Sequence, residues 1–173
     1  MRGFKALSAL CVLGIALGAD TAAATFDWNV ENPCEGGSGE FNQFIGYYAD
    51  ELIGTIPTNK ASIRIELQSD RDVDIRLIDV ETGTKIIAWD PNGHGLLSGP
   101  TEECTTYAGV EYCYSGYNGV NGDYGHEWIQ VNGTTNRELR MSAFGYRAGT
   151  ADVAYSWEAP SDCQQGVDAG SGA

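Results

Sequence analysis

Three carboxylates at alternate positions, Asp70, Asp72 and Asp74 in Asp70-Arg71-Asp72-Val73-Asp74, are the best-spaced candidates for metal chemistry in this chain. In an extended segment, side chains two apart project to the same side. The three acids then share one edge or face while Val73 points into a core. Acids so placed repel one another unless solvent or a cation intervenes, and calcium takes six to eight hard oxygen ligands. The set could seed a calcium site completed by loop carbonyls; the alternative is a solvated turn relieved by Arg71 and Arg76. A second group lies between Tyr112 and Trp128, where aromatic residues alternate with Gly and Asn. Aromatic faces beside amides suit sugar rings, and tyrosine is also a low-entropy contact residue in protein interfaces. The expected ligand contacts are Tyr114, Tyr117, Asn118, Asn121, Tyr124 and Trp128, with core packing as the competing role for the tyrosines.

Catalytic signatures are missing. No G-x-S-x-G surrounds Ser38, Ser98 or Ser115. His126-Glu127 begins like a zinc-protease motif, but Gln130 stands where the second histidine belongs. Asp90-Pro91-Asn92-Gly93-His94-Gly95 begins like a calcium-hand loop and fails at His94 and at Thr101. Asp90, Asp123 and Glu127 lie near aromatic residues, as the carboxylates of a glycosidase do, with His126 as a candidate base. Nothing in their spacing selects a pair.

The elements that must position these residues read as strands. Ile63, Ile65 and Leu67 alternate with Arg64, Glu66 and Gln68, and Val73, Ile75 and Leu77 follow the same period of two. Further strands are expected at Phe44–Tyr48, Lys85–Trp89, Thr105–Tyr107, Val110–Tyr114, Glu127–Val131, Glu138–Phe144 and Ala151–Trp157. Four Asn-Gly steps, at Asn92, Asn118, Asn121 and Asn132, supply turn residues. The fold class is therefore all-β, an antiparallel β-sandwich of jelly-roll type. If Ala108-Gly109 is a two-residue hairpin loop, Cys104 faces Cys113 at a non-hydrogen-bonded pair, where Cα atoms lie about 4.5 Å apart, within disulfide range. Cys34 then pairs with Cys163 and ties the ends of the domain together, although four cysteines also allow two other pairings.

The first 24 residues carry the features of a secretion signal: basic Arg2 and Lys5, an apolar run from Ala6 to Leu17, and a small-residue site at Ala22-Ala23-Ala24. The expected organisation is a signal over 1–24, an N-terminal extension over 25–43 with a loop from Asn32 to Glu40, a sandwich over 44–163 and an unstructured tail over 164–173. The expected location is extracellular or periplasmic, where disulfides persist. The chain has 24 acidic and 10 basic residues, a net charge of −14. Such a surface repels nucleic acid and anionic lipid, and no later segment is apolar enough to insert in a membrane.

Two further runs carry a family resemblance. Ala61-Ser62-Ile63-Arg64-Ile65-Glu66-Leu67 precedes Asp72-Val73-Asp74-Ile75-Arg76-Leu77, and Gly145-Tyr146-Arg147-Ala148-Gly149 precedes Val153-Ala154-Tyr155-Ser156-Trp157. From Ile45 to Trp157 the pattern resembles bacterial pre-peptidase C-terminal domains, secreted β-sandwich modules of which some are relatives of collagen-binding domains. The resemblance implies a non-catalytic module, sometimes calcium-supported, that binds extracellular polymers or assists an enzyme. The chain departs from that family in carrying no peptidase and in a longer, disulfide-bearing excursion over residues 90–127. The expected function is binding of an extracellular polysaccharide or protein surface. The alternatives are a small carboxylate-dependent hydrolase and a structural subunit of an extracellular coat or fibre.

Overall fold

The computed structural model describes residues 26–28, 32, 34–57, 59–88, 95–98, 101–117, 126–134 and 136–164. Among these residues, ten strands form two antiparallel sheets: β1 (Gly37–Ile45), β2 (Ala49–Ile56), β3 (Ser62–Ser69), β4 (Val73–Asp79), β5 (Lys85–Ile87), β6 (Glu103–Tyr107), β7 (Val110–Tyr117), β8 (His126–Asn132), β9 (Leu139–Gly145) and β10 (Gly149–Glu158). A 3₁₀ turn, Ser161–Gln164, follows. One sheet runs β1-β10-β3-β8-β7-β6 and the other β2-β9-β4-β5. Without the β6–β7 hairpin, eight strands remain in two four-stranded sheets, β1-β10-β3-β8 over β2-β9-β4-β5. That interleaving of first and last strands is the double Greek key of a jelly roll. The hairpin widens one sheet from four strands to six.

Alternation explains most of the register. Ile63, Ile65 and Leu67 of β3 face inward with no more than 1% exposure, while Arg64, Glu66 and Gln68 face out. β10 and β8 flank β3 and keep the same parity. In β2 a register shift between Leu52 and Gly54 resets the alternation, so that Ile53 and Ile56, three residues apart, both face the core.

Two expectations change at the N-terminal side. The segment from Asn32 to Glu40 is not all loop, because β1 begins at Gly37 and pairs with β10 along its whole length. The reason is steric. A Cβ on Gly37 would lie 2.5 Å from Cζ2 of Trp157, and one on Gly39 would lie 2.3 Å from the Tyr155 hydroxyl oxygen. These glycines make room for rings that lie across the strand, a use of glycine that composition reads as loop. Residues assigned to an extension also complete the core. Phe26 and Trp28 pack edge-on to Tyr155, at 5.0 and 4.8 Å between ring centroids, and Trp28 Nε1 donates to the Thr55 carbonyl at 2.8 Å.

Both disulfides form as expected, Cys104–Cys113 with Cα atoms 4.0 Å apart and Cys34–Cys163 at 5.3 Å. Ala108 and Gly109 have φ of 52° and 83°, so the hairpin turns through two left-handed residues. Alanine gains nothing from that conformation, whereas asparagine tolerates it. Ala108→Asn is expected to raise stability by about 0.5–1 kcal/mol, read as a higher urea midpoint at unchanged slope.

On the other sheet, Asp79 is fully buried and fastens the β4–β5 turn. Its Oδ1 accepts the Glu81 and Thr82 amides, and its Oδ2 accepts the Tyr107 hydroxyl at 2.7 Å and Arg137 Nη1 at 3.0 Å. Burial alone would raise its pKa. The hydrogen bonds from Tyr107, Thr82 and Glu81 outweigh burial and hold the carboxyl below its ordinary range.

Candidate functional site

The outer face of the six-stranded sheet is built in rows. Ser38, Ser156, Arg64 and Gln130 form one row across β1, β10, β3 and β8. Glu40, Ala154, Glu66 and Trp128 form the next, and Asn42, Asp152, Gln68 and His126 the third. The residues between them on each strand are inward, so every member of these rows faces outward. β10 contributes the small residues Ala154 and Ser156 between longer side chains of β1 and β3. The result is a trough of about 530 Å³ walled by Glu40, Asn42, Glu66, Gln68, His126 and Asp152, with Ala154 in its floor.

The walls hold one another in place. Asn42 Nδ2 donates to Asp152 Oδ1 at 3.1 Å. Arg64 Nε donates to Glu66 Oε1 at 3.1 Å, while its guanidinium lies 3.7 Å from the Trp128 ring centroid. His126 Nε2 lies 3.5 Å from the other Glu66 oxygen. Carboxylates accept hydrogen bonds and amides both donate and accept, so the trough suits a ligand with many hydroxyls. Its three carboxylates oppose an anionic ligand.

Behind this face lies a buried acid pair. Successive strand residues project to opposite sides, so His126 faces out and Glu127, 2% exposed, faces the interior. Glu127 Oε2 accepts the Ile75 amide at 2.6 Å and Oε1 accepts the Tyr114 hydroxyl at 3.1 Å. Among the described residues β5 pairs with β4 at Leu77 and Ile78 and no strand lies beside Ile75 on that edge, and the Glu127 carboxyl takes its amide. Asp74 and Glu127 share a hydrogen bond between their carboxyls. Burial pushes Asp74 up to about 6, reinforced by Asp72 and opposed by Arg76. Burial, and then the charge of Asp74, pushes Glu127 well above the usual carboxylate range. A carboxyl–carboxyl hydrogen bond needs a proton, so the pair is held with one.

These positions sort the residues expected from sequence. Trp128 lies on the open face, beneath Arg64. Tyr114 does not: it is 1% exposed, its hydroxyl is given to Glu127, and burial followed by the Glu127 and Asp74 charges raises its pKa. It is a packing residue, not a ligand contact. Tyr117 ends β7 opposite His126. Asn118, Asn121 and Tyr124 lie outside the described residues, as do Asp90 and Asp123. His126 and Glu127 cannot share a hydrolytic centre, because the sheet separates them. Asp70, Asp72 and Asp74 are not gathered on one face either. Asp70 sits exposed in the β3–β4 turn, 3.8 Å from Arg71 Nε, whereas Asp74 is buried against Glu127. Among the described residues, no group of three or more His, Cys, Asp or Glu is arranged to hold a metal ion.

Sequence reasoning missed the trough residues Glu40, Asn42, Gln68 and Asp152. Their outward parity was legible on β3 and β10, but their neighbours were not.

The fold and face define a disulfide-stapled jelly roll with one open polar sheet. Two disulfides call for an oxidising compartment, and among the described residues no helix is long and apolar enough to cross a membrane. No family model matches the chain, and no curated protein matches it. One solved structure, titled "Structure of the Clostridium Perfringens CspB protease", overlays with a TM-score of 0.39 at 13% identity, over 70% of this chain and 25% of that one. The chain thus spans about a quarter of that structure's length, and an overlay at this score carries no argument.

Proposed function

We propose that this chain is a secreted, non-catalytic binding module that holds an uncharged or cationic extracellular polymer along the open face of its six-stranded sheet. The observation that carries the reading is the trough over Ala154, with amide and carboxylate walls fixed by mutual hydrogen bonds. Preorganised polar walls lose little entropy on binding, and a trough along a sheet face can take an extended polymer. The resemblance to secreted pre-peptidase C-terminal modules points the same way. The calcium-supported form of that reading lacks a donor set among the described residues, since Asp74 shares its proton with Glu127.

Gln68→Ala with Asp152→Ala removes an amide and a carboxylate from the lining at exposed positions. Apparent affinity for an insoluble polymer is expected to fall about 10–100-fold in a sedimentation assay, at two hydrogen bonds of about 0.5–1.5 kcal/mol or more each. The melting temperature should stay within about 2 °C of the parent. Unchanged retention in the double variant would move the site off this face.

A further inference from the structure

Beyond the trough, the end of the sandwich carries an aromatic crest that none of the ligand contacts expected from sequence includes. Phe44, Tyr47 and Tyr48, in and beside the β1–β2 turn, are 65, 69 and 60% exposed. Tyr47 and Tyr48 meet edge-on at 4.9 Å between centroids. Tyr48 rests against Phe144 and Tyr146 at 5.9 and 6.0 Å, and those two meet at 4.9 Å. The guanidinium of Arg76, bonded to Asp50 at 3.1 Å, lies 4.1 Å from the Phe144 centroid and braces the cluster from one side.

The backbone under the crest is fixed in an unusual form. Tyr48 has φ of 51°, a left-handed conformation that is costly for a bulky residue and is kept only where the surroundings impose it. Its amide donates to the Gly145 carbonyl at 2.7 Å. Gly145 is required there, because a Cβ on it would lie 2.5 Å from the Gly46 carbonyl oxygen. The turn therefore spends backbone strain to hold two tyrosine rings in water instead of folding them inward.

We infer that this crest is a stacking platform for uncharged sugar rings, and that the polymer in the trough is a neutral glycan. The inference rests on the proposed polymer-binding reading and names its ligand class. Chain order supports it: Glu40, Asn42 and Phe44 are alternate residues of β1 on one face, so the trough wall leads to Phe44, and the chain reaches Tyr47 and Tyr48 three and four residues later. Size supports it too. A fully buried aromatic side chain covers roughly 150–250 Å². Three rings about two-thirds open therefore offer about 400 Å², half of the ~800 Å² per partner that a stable protein interface uses. That area fits a few sugar rings, whose apolar faces stack on aromatics while their hydroxyls reach carboxylates and amides. The net charge of −14 weighs against an acidic glycan.

The test is sedimentation of residues 25–173 with microcrystalline cellulose, chitin and insoluble xylan, and with gelatin beads as a protein polymer. Tyr47→Ala with Tyr48→Gly removes both rings, and glycine keeps the left-handed turn, so the melting temperature should hold. The expected result is retention on at least one polysaccharide, weakened about tenfold or more in this variant. Retention on a polysaccharide that only Gln68→Ala/Asp152→Ala weakens would overturn the inference and leave the trough reading standing. Retention on gelatin alone, through the trough, would do the same. No retention on any probe would overturn both.

Discussion

Glu127→Gln is expected to leave the protein more stable than its parent at pH 8 and to flatten its stability between pH 4 and 7. In the parent, Asp74 and Glu127 share a proton inside the sandwich, and burial raises the pKa of both. The charged groups around them are Asp72, which raises Asp74 further, and Arg76, which lowers it but is also engaged by Asp50. Tyr114, the remaining titratable group on the pair, donates a hydrogen bond to Glu127. A group whose folded pKa is raised contributes stability that is complete below its unfolded pKa and lost as pH rises through the folded one. For Asp74 that window runs from 3.8 to about 6. A shift of two units corresponds to a loss on the order of 3 kcal/mol across the window. The introduced carboxamide would donate from its nitrogen to an ionised Asp74 and accept the Ile75 amide on its oxygen. The Tyr114 hydroxyl oxygen can accept as well as donate, so no buried group is orphaned. Glu127→Ala is the contrasting case. It strands the Ile75 amide, the Tyr114 hydroxyl and Asp74, and is expected to cost about 3 kcal/mol or more at every pH. Urea midpoints of the three proteins at pH 5 and pH 8 decide the matter. A parent equally stable at both values would mean that the pair carries no raised proton.

Glu127 shows how much of this was legible beforehand. Ile129 and Val131 are inward by period two, and the same parity puts Glu127 inward and His126 outward. The signal was present, but a carboxylate beside a histidine suggests chemistry more readily than burial. Parity sufficed for β3, for β10 and for the Cys104–Cys113 hairpin, where the offset from a two-residue loop fixed the pair. It failed at β1, where Gly37 and Gly39 sit under the Trp157 and Tyr155 rings, because a glycine that accommodates a ring has the composition of a loop. No strand was read at β2, where the bulge between Leu52 and Gly54 breaks the period of two and puts Ile53 and Ile56, three apart, on the same inward side. The trough lay further out of reach. Asn42 and Asp152 are hydrogen-bonded across 110 residues of sequence, and only the order β1-β10-β3-β8 brings them together. Local spacing carries no record of which distant strands become neighbours.

Loss of the Cys34–Cys163 bridge is expected to lower stability about twice as much as loss of Cys104–Cys113. The two bridges close loops with sequence separations of 129 and 9. In the chain-entropy account, closure of the long loop is worth about 5 kcal/mol and of the short one about 2.7 kcal/mol. For a domain of this size each kcal/mol moves the melting temperature by roughly 2–4 °C. Replacing both cysteines of the long bridge by serine should thus lower the melt by about 10–20 °C, and of the short bridge by about 5–10 °C. The folded state around the long bridge has other fastenings that should survive its removal. Lys60 Nζ donates to the Asn32 and Glu35 carbonyls, each at 3.1 Å, and Trp157 Nε1 donates to the Glu35 carbonyl at 3.0 Å. The loss should therefore come mainly from greater freedom of the unfolded chain, leaving the native near-ultraviolet dichroism intact. The short bridge lies between β6, which among the described residues pairs only with β7, and β7 itself, so its loss frees an edge hairpin that can fray on its own. Calorimetry of the two double-serine proteins measures the order, and amide exchange across residues 103–114 measures the fraying. A short bridge that proved the costlier of the two would show that the hairpin, rather than the closure of the chain ends, holds the sandwich together.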